Sequence, residues 1–146
     1  MEQRLSLITL GVSDLKQSRQ FYDRLGWQVA SEEQAEEIIA YNLQSMCLAL
    51  YPLDKLMEDT TVRAGRDGYS PMTLAYNVNS EAEVDAMLEE ARKAGGEIVK
   101  PAQKVFSGGY SGYFADPDKY LWEVAFNPFS PLGPNGAFQW GGVESE

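Results

Sequence analysis

The chain contains 146 residues, of which 44% are hydrophobic and 23% are charged, and it carries a formal net charge of −10. This balance predicts one compact cytoplasmic domain, because no apolar run approaches the ~20 residues of a membrane span and residues 1–4 lack the start of a signal peptide. The charge disfavours nucleic acid and anionic membranes as partners, and the lack of histidine together with the single cysteine, Cys47, excludes imidazole chemistry, an internal disulfide and a cysteine metal cluster.

The first third of the chain predicts a strand, a helix and three further strands. Leu5 to Val12 alternates like a strand, and Ser13 or Asp14 can cap the helix that follows, since either side-chain oxygen accepts from the free N–H groups of a first turn. Gly26 is placed to end this helix with a positive φ. The further strands are Trp27 to Ser31, Ile38 to Leu43 and Met46 to Tyr51.

After a short helix over Pro52 to Asp59 and a polar connector over Thr60 to Ser70, the same order begins again. Met72 to Val78 predicts a strand. Ser80 caps the next helix, and Glu83 completes a capping box by reaching back to the cap N–H. Gly95-Gly96 ends this helix, and the extended segments that follow are Glu97 to Val99, Gly108 to Ala115 and Tyr120 to Phe126.

Two similar segments indicate an internal duplication. Leu10 to Asp14 is similar to Tyr76 to Ser80, and each leads into an amphipathic helix that glycine ends. We therefore predict an α+β fold of two βαβββ modules, at 4–52 and 71–127, whose sheets face each other around a cleft within one domain. A tail rich in Pro and Gly follows at 128–146.

The segment from Asp116 to Lys119 predicts a turn, because Pro117 restricts φ and the aspartates can accept from nearby backbone N–H groups. The strand after this turn carries Glu123 between Trp122 and Val124. Side chains alternate along a strand, so Glu123 occupies the face opposite to its two neighbours. It therefore faces either water or a group that needs a charge.

Two motifs in this chain carry a family resemblance. The first is Val12-Ser13-Asp14-Leu15 with Ser18, Phe21-Tyr22 and Leu25-Gly26-Trp27; the second is Phe114-Ala115-Asp116-Pro117-Asp118 with Leu121-Trp122-Glu123. In this order they resemble the vicinal oxygen chelate superfamily, which includes glyoxalase I, extradiol dioxygenases, fosfomycin-resistance enzymes and bleomycin-binding proteins. The resemblance covers about residues 5 to 128. It implies paired modules around a ligand cavity and, commonly, a homodimer.

The resemblance also implies where a divalent metal would be held, through four side chains. These positions fall on Leu7, Thr73, Glu123 and about Ala49, with Leu48 and Leu50 as alternatives in register. Leucine and alanine offer no lone pair, while Zn, Ni or Fe needs three or four N, O or S donors. We therefore expect no metal and no other cofactor, which disfavours metal-dependent catalysis.

The sequence thus predicts a metal-free protein that binds a small organic molecule, with a cationic guest suited to its charge. The expected ligand-binding residues are Leu7, Thr73, Tyr113, Trp122 and Glu123, while Tyr41, Tyr51 and Tyr110 either line the cavity or belong to the core. Glu123 is either a remnant of the metal site or a binder of cationic or hydroxylated ligands, and Thr73 can hydrogen-bond it. The alternative is a lyase, isomerase or dioxygenase-related enzyme, without a metal or with an atypical one, that uses Glu123 as a catalytic base. A structural or regulatory module is a third alternative.

Two further segments carry expectations. Gly108 to Gly112 precedes a strand and not a helix, which favours a bulge or a close backbone approach near the cavity rim over a phosphate loop. In the tail, we expect the apolar residues to pack down near the cavity mouth or a dimer interface, and 143–146 to fray. The apolar residues are Phe129, Leu132, Phe138 and Trp140.

Overall fold

The computed structural model describes residues 1, 3, 5–61, 72–105 and 108–143. Most of the predicted connector, at 62–70, and the last three residues of the tail, at 144–146, lie outside the described residues. The chain divides into two compact units, Met1–Tyr69 and Ser70–Glu146. Each predicted module falls within one unit, and the grouping of both modules into one domain stays a prediction.

The first unit is built on a three-stranded mixed sheet. Its elements are β1 (Leu7–Val12), α1 (Leu15–Arg24), β2 (Ile39–Asn42), β3 (Cys47–Pro52) and α2 (Leu53–Thr60). The sheet order is β1-β3-β2, with β1 and β3 parallel and β2 antiparallel to β3. A parallel pair requires a long crossover, which α1 and β2 supply here.

The predicted strand at 27–31 is wrong, because this segment does not join the described sheet. Its link to β2 is one backbone hydrogen bond, from Ala30 N to Ala40 O at 2.8 Å. Residues 33–37, which follow, form turns and leave no length for a ladder. The extended composition of 27–31 therefore does not by itself produce a strand, since a ladder needs successive paired groups on both chains.

Helix α1 covers one face of this sheet. Of the two candidate caps, Asp14 is the one used, and its side chain accepts from Gln17 N at 3.0 Å. Gly26 follows the helix with φ of +92°, as predicted. Tyr22 of α1 lies 5.8 Å from Tyr41 between ring centroids, and both rings are fully buried. Aromatic packing thus joins α1 to β2.

Helix α2 packs against β1 and β3 on the opposite face. A Cβ atom on Gly11 would lie 2.7 Å from Leu53 Cδ1, the end of a side chain of α2, so α2 packs closely over this glycine. The hydroxyl of Tyr51 donates to Asp59 of α2 at 3.0 Å. By alternation along β3, this is also the face that carries Ala49, whose exposure is 0%.

The second unit has the predicted βαβββ order. Its elements are β4 (Thr73–Val78), α3 (Glu81–Ala94), β5 (Glu97–Lys104), β6 (Tyr110–Ala115) and β7 (Leu121–Phe126). The sheet order is β4-β7-β6-β5, in which only the β4 and β7 pair is parallel. These mixed sheets and helices confirm the predicted α+β class.

The capping box of α3 forms with one change. The hydroxyl of Ser80 accepts from Glu83 N at 3.1 Å, as predicted. The carboxylate of Glu83, however, accepts from the backbone N of Asn79 at 2.7 Å, one residue before the cap. Gly95 ends the helix in the left-handed region, with φ of +108°.

Helix α3 covers one face of the second sheet with Val84, Leu88 and Ala91, which are all buried. A Cβ atom on Gly112 would lie 2.7 Å from Leu88 Cδ1, which places Gly112 beneath the helix. Val124 pairs with Gly112 across β7 and shares this face. The alternate residues of β6 and β7 therefore point away from α3.

The close approach predicted for the glycine segment is confirmed at Gly112. Lys100 pairs with Tyr113 and Gln103 pairs with Ser111, so two residues of β5, at 101 and 102, lie opposite Gly112 alone. This is a β-bulge, and it includes a proline, which an edge strand tolerates. A Cβ atom on Gly112 would lie 2.9 Å from the backbone N of Ala102 and the backbone O of Lys100.

The aromatic residues of the tail are exposed in this chain, and their expected packing near the cavity mouth or a dimer interface stays a prediction. Phe129, Phe138 and Trp140 are 68%, 44% and 89% exposed, while Leu132 is half-buried. The buried tail residue is instead Ser130, whose hydroxyl accepts from Gly141 N at 2.9 Å. The tail is therefore held by hydrogen bonding and not by its large apolar side chains.

The end of the described tail does not fray as expected. Val143 is half-buried and lies beside Gly133, whose Cβ position would be 2.9 Å from Val143 Cγ2. A short 3₁₀ turn, Pro134–Gly136, brings the chain back toward this contact. The prediction for 144–146 lies outside the described residues.

Candidate functional site

The turn before β7 sets the position of the candidate site. Asp116 is buried, and its Oδ1 accepts from the backbone N of Asp118 and of Tyr120, both at 2.9 Å. Lys119 adopts a left-handed conformation with φ of +71°, and its N–H donates to Asp116 O. One aspartate therefore organises the turn, as its sequence predicts, and sets the start of β7.

Glu123 lies in the middle of β7, an inner strand of the second sheet. Its register partners are Ala75 on β4 and Tyr113 on β6. Trp122 and Val124, on either side of it in the chain, are buried on the face that α3 covers. Glu123 is half-buried and belongs to the opposite face, as the sequence predicts.

Tyr113 is the hydrogen-bond partner of Glu123. Its hydroxyl donates to Glu123 Oε2, and the antiparallel register of β6 and β7 places the two residues directly opposite each other. The hydrogen bond, followed by burial and by the negative charge of Glu123, raises the pKa of Tyr113 to about 12. The phenol of Tyr113 therefore stays protonated at neutral pH, and its O–H donates a hydrogen bond to the carboxylate.

The carboxylate of Glu123 has no cationic partner among the described residues. The ion pairs there join Arg19 to Asp23 and Glu32, Arg92 to Glu89, and Lys119 to Glu97. Tyr113 is a neutral donor and satisfies one of two carboxylate oxygens, which together can accept about four hydrogen bonds. Glu123 thus has an oxygen, Oε1, that is able to accept from a ligand.

The two sides of Glu123 along the sheet differ. On the β6 side stands the ring of Tyr113, and on the β4 side stands the methyl group of Ala75, which is exposed. Thr73 lies two residues before Ala75 and is also exposed. The hydrogen bond from Thr73 to Glu123 that the sequence allows is not seen in the described structure, where Tyr113 makes this contact instead.

The metal-ligand positions can be compared within each sheet. In the first sheet Leu7 pairs with Cys47 and Thr9 with Ala49, and in the second Thr73 pairs with Leu121 and Ala75 with Glu123. Ala49 is therefore the counterpart of Glu123, and Leu7 of Thr73. This donor set, one carboxylate and one hydroxyl, does not fit a divalent transition metal. Within the described ranges, no three His, Cys, Asp or Glu side chains cluster as a metal site.

Two other candidate residues are Leu7 and Trp122. Leu7 is 44% exposed in β1 of the first unit, and its binding role stays a prediction. Trp122 is 7% exposed and stacks on Phe114, with centroids 6.1 Å apart, on the face that α3 covers. Its position is that of a core residue, and its ligand-binding role stays a prediction.

The aromatic candidates Tyr110 and Tyr41 each have surroundings of their own. Tyr110 donates to Asp85 of α3 at 2.7 Å, which places it on the helix side of the second sheet. Tyr41 is buried in the first unit, and burial raises the pKa of its hydroxyl. Among the aromatic candidates of the second sheet, Tyr113 is the one whose hydroxyl donates to Glu123.

A groove lies between α3 and β5, on the helix side of the second sheet. It is lined by Asp85, Leu88, Glu89, Ile98, Pro101 and Ala102. Asp85 accepts from the hydroxyl of Tyr110, and Glu89 pairs with Arg92 at 2.6 Å. Both acids thus have partners within the unit, so Glu123 remains the stronger candidate for ligand binding.

Sequence reasoning missed the contact between Tyr113 and Glu123, although a signal for it was present. The loop of the hairpin is the Asp116 turn, and the pairs Ala115 with Leu121 and Tyr113 with Glu123 are symmetric about it. The first strand was predicted to end at Ala115, and a second strand set to begin at Leu121 instead of Tyr120 would have paired these residues by counting outward from the turn.

Comparisons with known proteins agree with this architecture. The model of the Glyoxalase/Bleomycin resistance protein/Dioxygenase superfamily matches residues 4–124. The crystal structure of a glyoxalase-related enzyme from Fulvimarina pelagi is similar with a TM-score of 0.87 and 37% identity, over 96% of this chain and 99% of that one. The chain therefore belongs to this superfamily, as its motifs indicated.

More distant structures share the fold. A glyoxalase/bleomycin resistance protein/dioxygenase from Nocardioides has a TM-score of 0.71 at 24% identity, over 93% of this chain and 91% of that one. A lactoylglutathione lyase from Agrobacterium tumefaciens has a TM-score of 0.62 at 17% identity, over 86% and 95%. No match was found among curated proteins. None of the described helices has the length and apolar character to cross a bilayer.

Proposed function

We propose that this chain binds a small organic cation on the face of the second sheet that carries Glu123. The observation that carries the proposal is a half-buried carboxylate whose hydrogen-bond partner is a neutral phenol and which, among the described residues, has no cationic partner. A partly buried charge without a counter-ion favours a bound cation. The net charge of −10 adds a long-range attraction for such a guest.

The test is a calorimetric titration of the untagged protein with organic amines. Glu123→Gln removes the charge and keeps the size of the side chain, so we expect affinity to fall at least tenfold. Glu33→Gln is the matched control, since Glu33 is exposed in the first unit and loses the same charge. Equal affinity in the wild type and both variants would contradict the proposal.

We propose further that this function needs no metal. The support is the donor set at the four family positions, in which Leu7 and Ala49 carry no ligand atom. The protein is incubated with excess Ni, Zn, Mn and Fe(II), desalted and subjected to elemental analysis beside Glu123→Gln. Near-stoichiometric metal that disappears in the variant would contradict a metal-free site.

The second candidate function is a metal-independent enzyme in which Glu123 acts as a base. One observation favours it: Tyr113 places a proton-bearing group directly beside the carboxylate. Turnover of a bound ligand that Glu123→Gln abolishes without loss of binding would favour the enzyme.

We also propose that the protein is a cytoplasmic homodimer in which the exposed tail aromatics take part in the interface. Phe129, Phe138 and Trp140 support this, because large apolar side chains exposed close together in the chain are typical of interaction surfaces.

A further inference from the structure

Tyr113 does more than accompany the carboxylate, because it leaves Glu123 with two unequal oxygens. Oε2 accepts from the hydroxyl of Tyr113, while Oε1 has no hydrogen-bond partner among the described residues. The hairpin of β6 and β7 holds the two side chains directly opposite each other. We propose that Tyr113 restricts Glu123 to a single-point contact, so that the site selects alkylammonium ligands over guanidinium ligands.

This inference rests on the proposed binding of a cation by Glu123. A guanidinium group binds a carboxylate best through two parallel N–H donors, one to each oxygen. An alkylammonium group is a compact charge that needs only one acceptor oxygen. Because the hydroxyl of Tyr113 already donates to Oε2, one N–H of a guanidinium fork would have to share that oxygen with Tyr113 and its hydrogen bond is weakened, whereas an ammonium ligand can use Oε1 alone.

The surroundings of Glu123 support the same direction of approach. Tyr113 stands on the β6 side of Glu123, and its hydroxyl lies against Oε2, the oxygen that the second N–H of a guanidinium fork would need. On the β4 side Ala75 carries only a methyl group and is exposed, so this side has room for a ligand. The site therefore has one filled side and one open side.

The hydroxyl of Tyr113 has no competing partner in the described structure. Its hydrogen bond is to Glu123, and the negative charge of Glu123 strengthens it, because hydrogen bonds to ionised acceptors are stronger than neutral ones. The other tyrosines of this sheet differ, since Tyr110 donates to Asp85 on the helix side and Tyr76 pairs with Val124. Tyr113 is thus the tyrosine that can set the specificity of Glu123.

The experiment compares two probes of equal apolar size, benzylammonium and benzylguanidinium, by calorimetry. The wild type is expected to bind benzylammonium roughly tenfold more tightly, which corresponds to the weakening of one charge-assisted hydrogen bond of the other probe. Tyr113→Phe keeps the ring and removes the hydroxyl. In this variant benzylguanidinium should bind roughly tenfold more tightly than in the wild type, and the preference should disappear.

Two further variants complete the test. Tyr76→Phe is the matched control, since Tyr76 is 47% exposed on the other face of the sheet, and it should leave the preference unchanged. Ala75→Ile fills the open side and should lower the affinity for both probes about equally. This variant tests the direction from which the ligand approaches, even if Tyr113→Phe fails to fold.

The outcomes separate this inference from the function on which it rests. If both probes bind the wild type equally, and Glu123→Gln abolishes both, the cation site stands and the role of Tyr113 is wrong. The same conclusion follows if Tyr113→Phe leaves the preference at its wild-type value. If neither probe binds, or Glu123→Gln changes nothing, the proposed cation site and the inference both fail.

Discussion

At the scale of single residues, Asp116 is the side chain on which the turn before β7 depends. Replacing it with Ala leaves the N–H groups of Asp118 and Tyr120 without their acceptor, so we expect the free energy of unfolding to fall by about 1 to 3 kcal/mol. Asp116→Asn keeps an acceptor oxygen and should cost less. Urea denaturation measures both, and an equal loss in the two variants would contradict this role for the oxygen.

Tyr113 gives a pH-dependent prediction at the same scale. Its pKa is raised to about 12 in the folded protein, against about 10 in an unfolded chain. A raised pKa means that the folded state holds the proton more tightly, so the contribution of Tyr113 to stability is complete below pH 10 and is lost as pH rises toward 12. Ultraviolet titration of the wild type minus Tyr113→Phe measures this pKa.

The same titration in a Glu123→Gln background isolates the cause. The hydrogen bond and the charge of Glu123 are the first and third causes of the raised pKa, and burial is the second. We therefore expect the pKa of Tyr113 to fall toward its ordinary value when Glu123 is replaced. A pKa that stays near 12 in this variant would assign the shift to burial alone.

At the scale of elements, the bulge in β5 requires a residue without a side chain opposite it. Gly112→Ala would place a Cβ atom 2.9 Å from backbone atoms of Lys100 and Ala102, which cannot move without distorting β5, so we expect a loss of about 1 to 3 kcal/mol in the free energy of unfolding. Gly11→Ala is the matched control, because its two closest contacts are side-chain ends of Leu53 and Leu56. An equal or larger loss in Gly11→Ala would contradict the argument.

The elements differ in how far the sequence predicts them. The starts of α1 and α3 carry capping residues, Asp14 and Ser80, and both strands of the β6 and β7 hairpin were predicted around the Asp116 turn. These signals act over a few residues and are visible in the sequence. Segment 27–31 has the composition of a strand but pairs through one backbone hydrogen bond, because its partner strand lies beyond a run of turns.

At the scale of the whole molecule, the tail gives the prediction about assembly. Trp140 is 89% exposed in this chain, whereas Trp122 is buried. If the tail takes part in a dimer, acrylamide quenching of tryptophan fluorescence should decrease as protein concentration rises, and Trp140→Ser should weaken the dimer in sedimentation experiments. A wild type that remains monomeric at every concentration, with Trp140 always quenched, would contradict the homodimer.

The sequence by itself determined the α+β class, the βαβββ order of the second unit, the turn at Asp116 and the face of the strand on which Glu123 lies. Each of these follows from local periodicity, capping or turn chemistry, or from similarity between neighbouring motifs. Only the tertiary structure decided that Tyr113 donates to Glu123, that Trp122 is covered by α3 and that the tail aromatics are exposed. These features depend on which residues meet across strands and on which face a helix packs, and such long-range pairings are set by the folded chain as a whole.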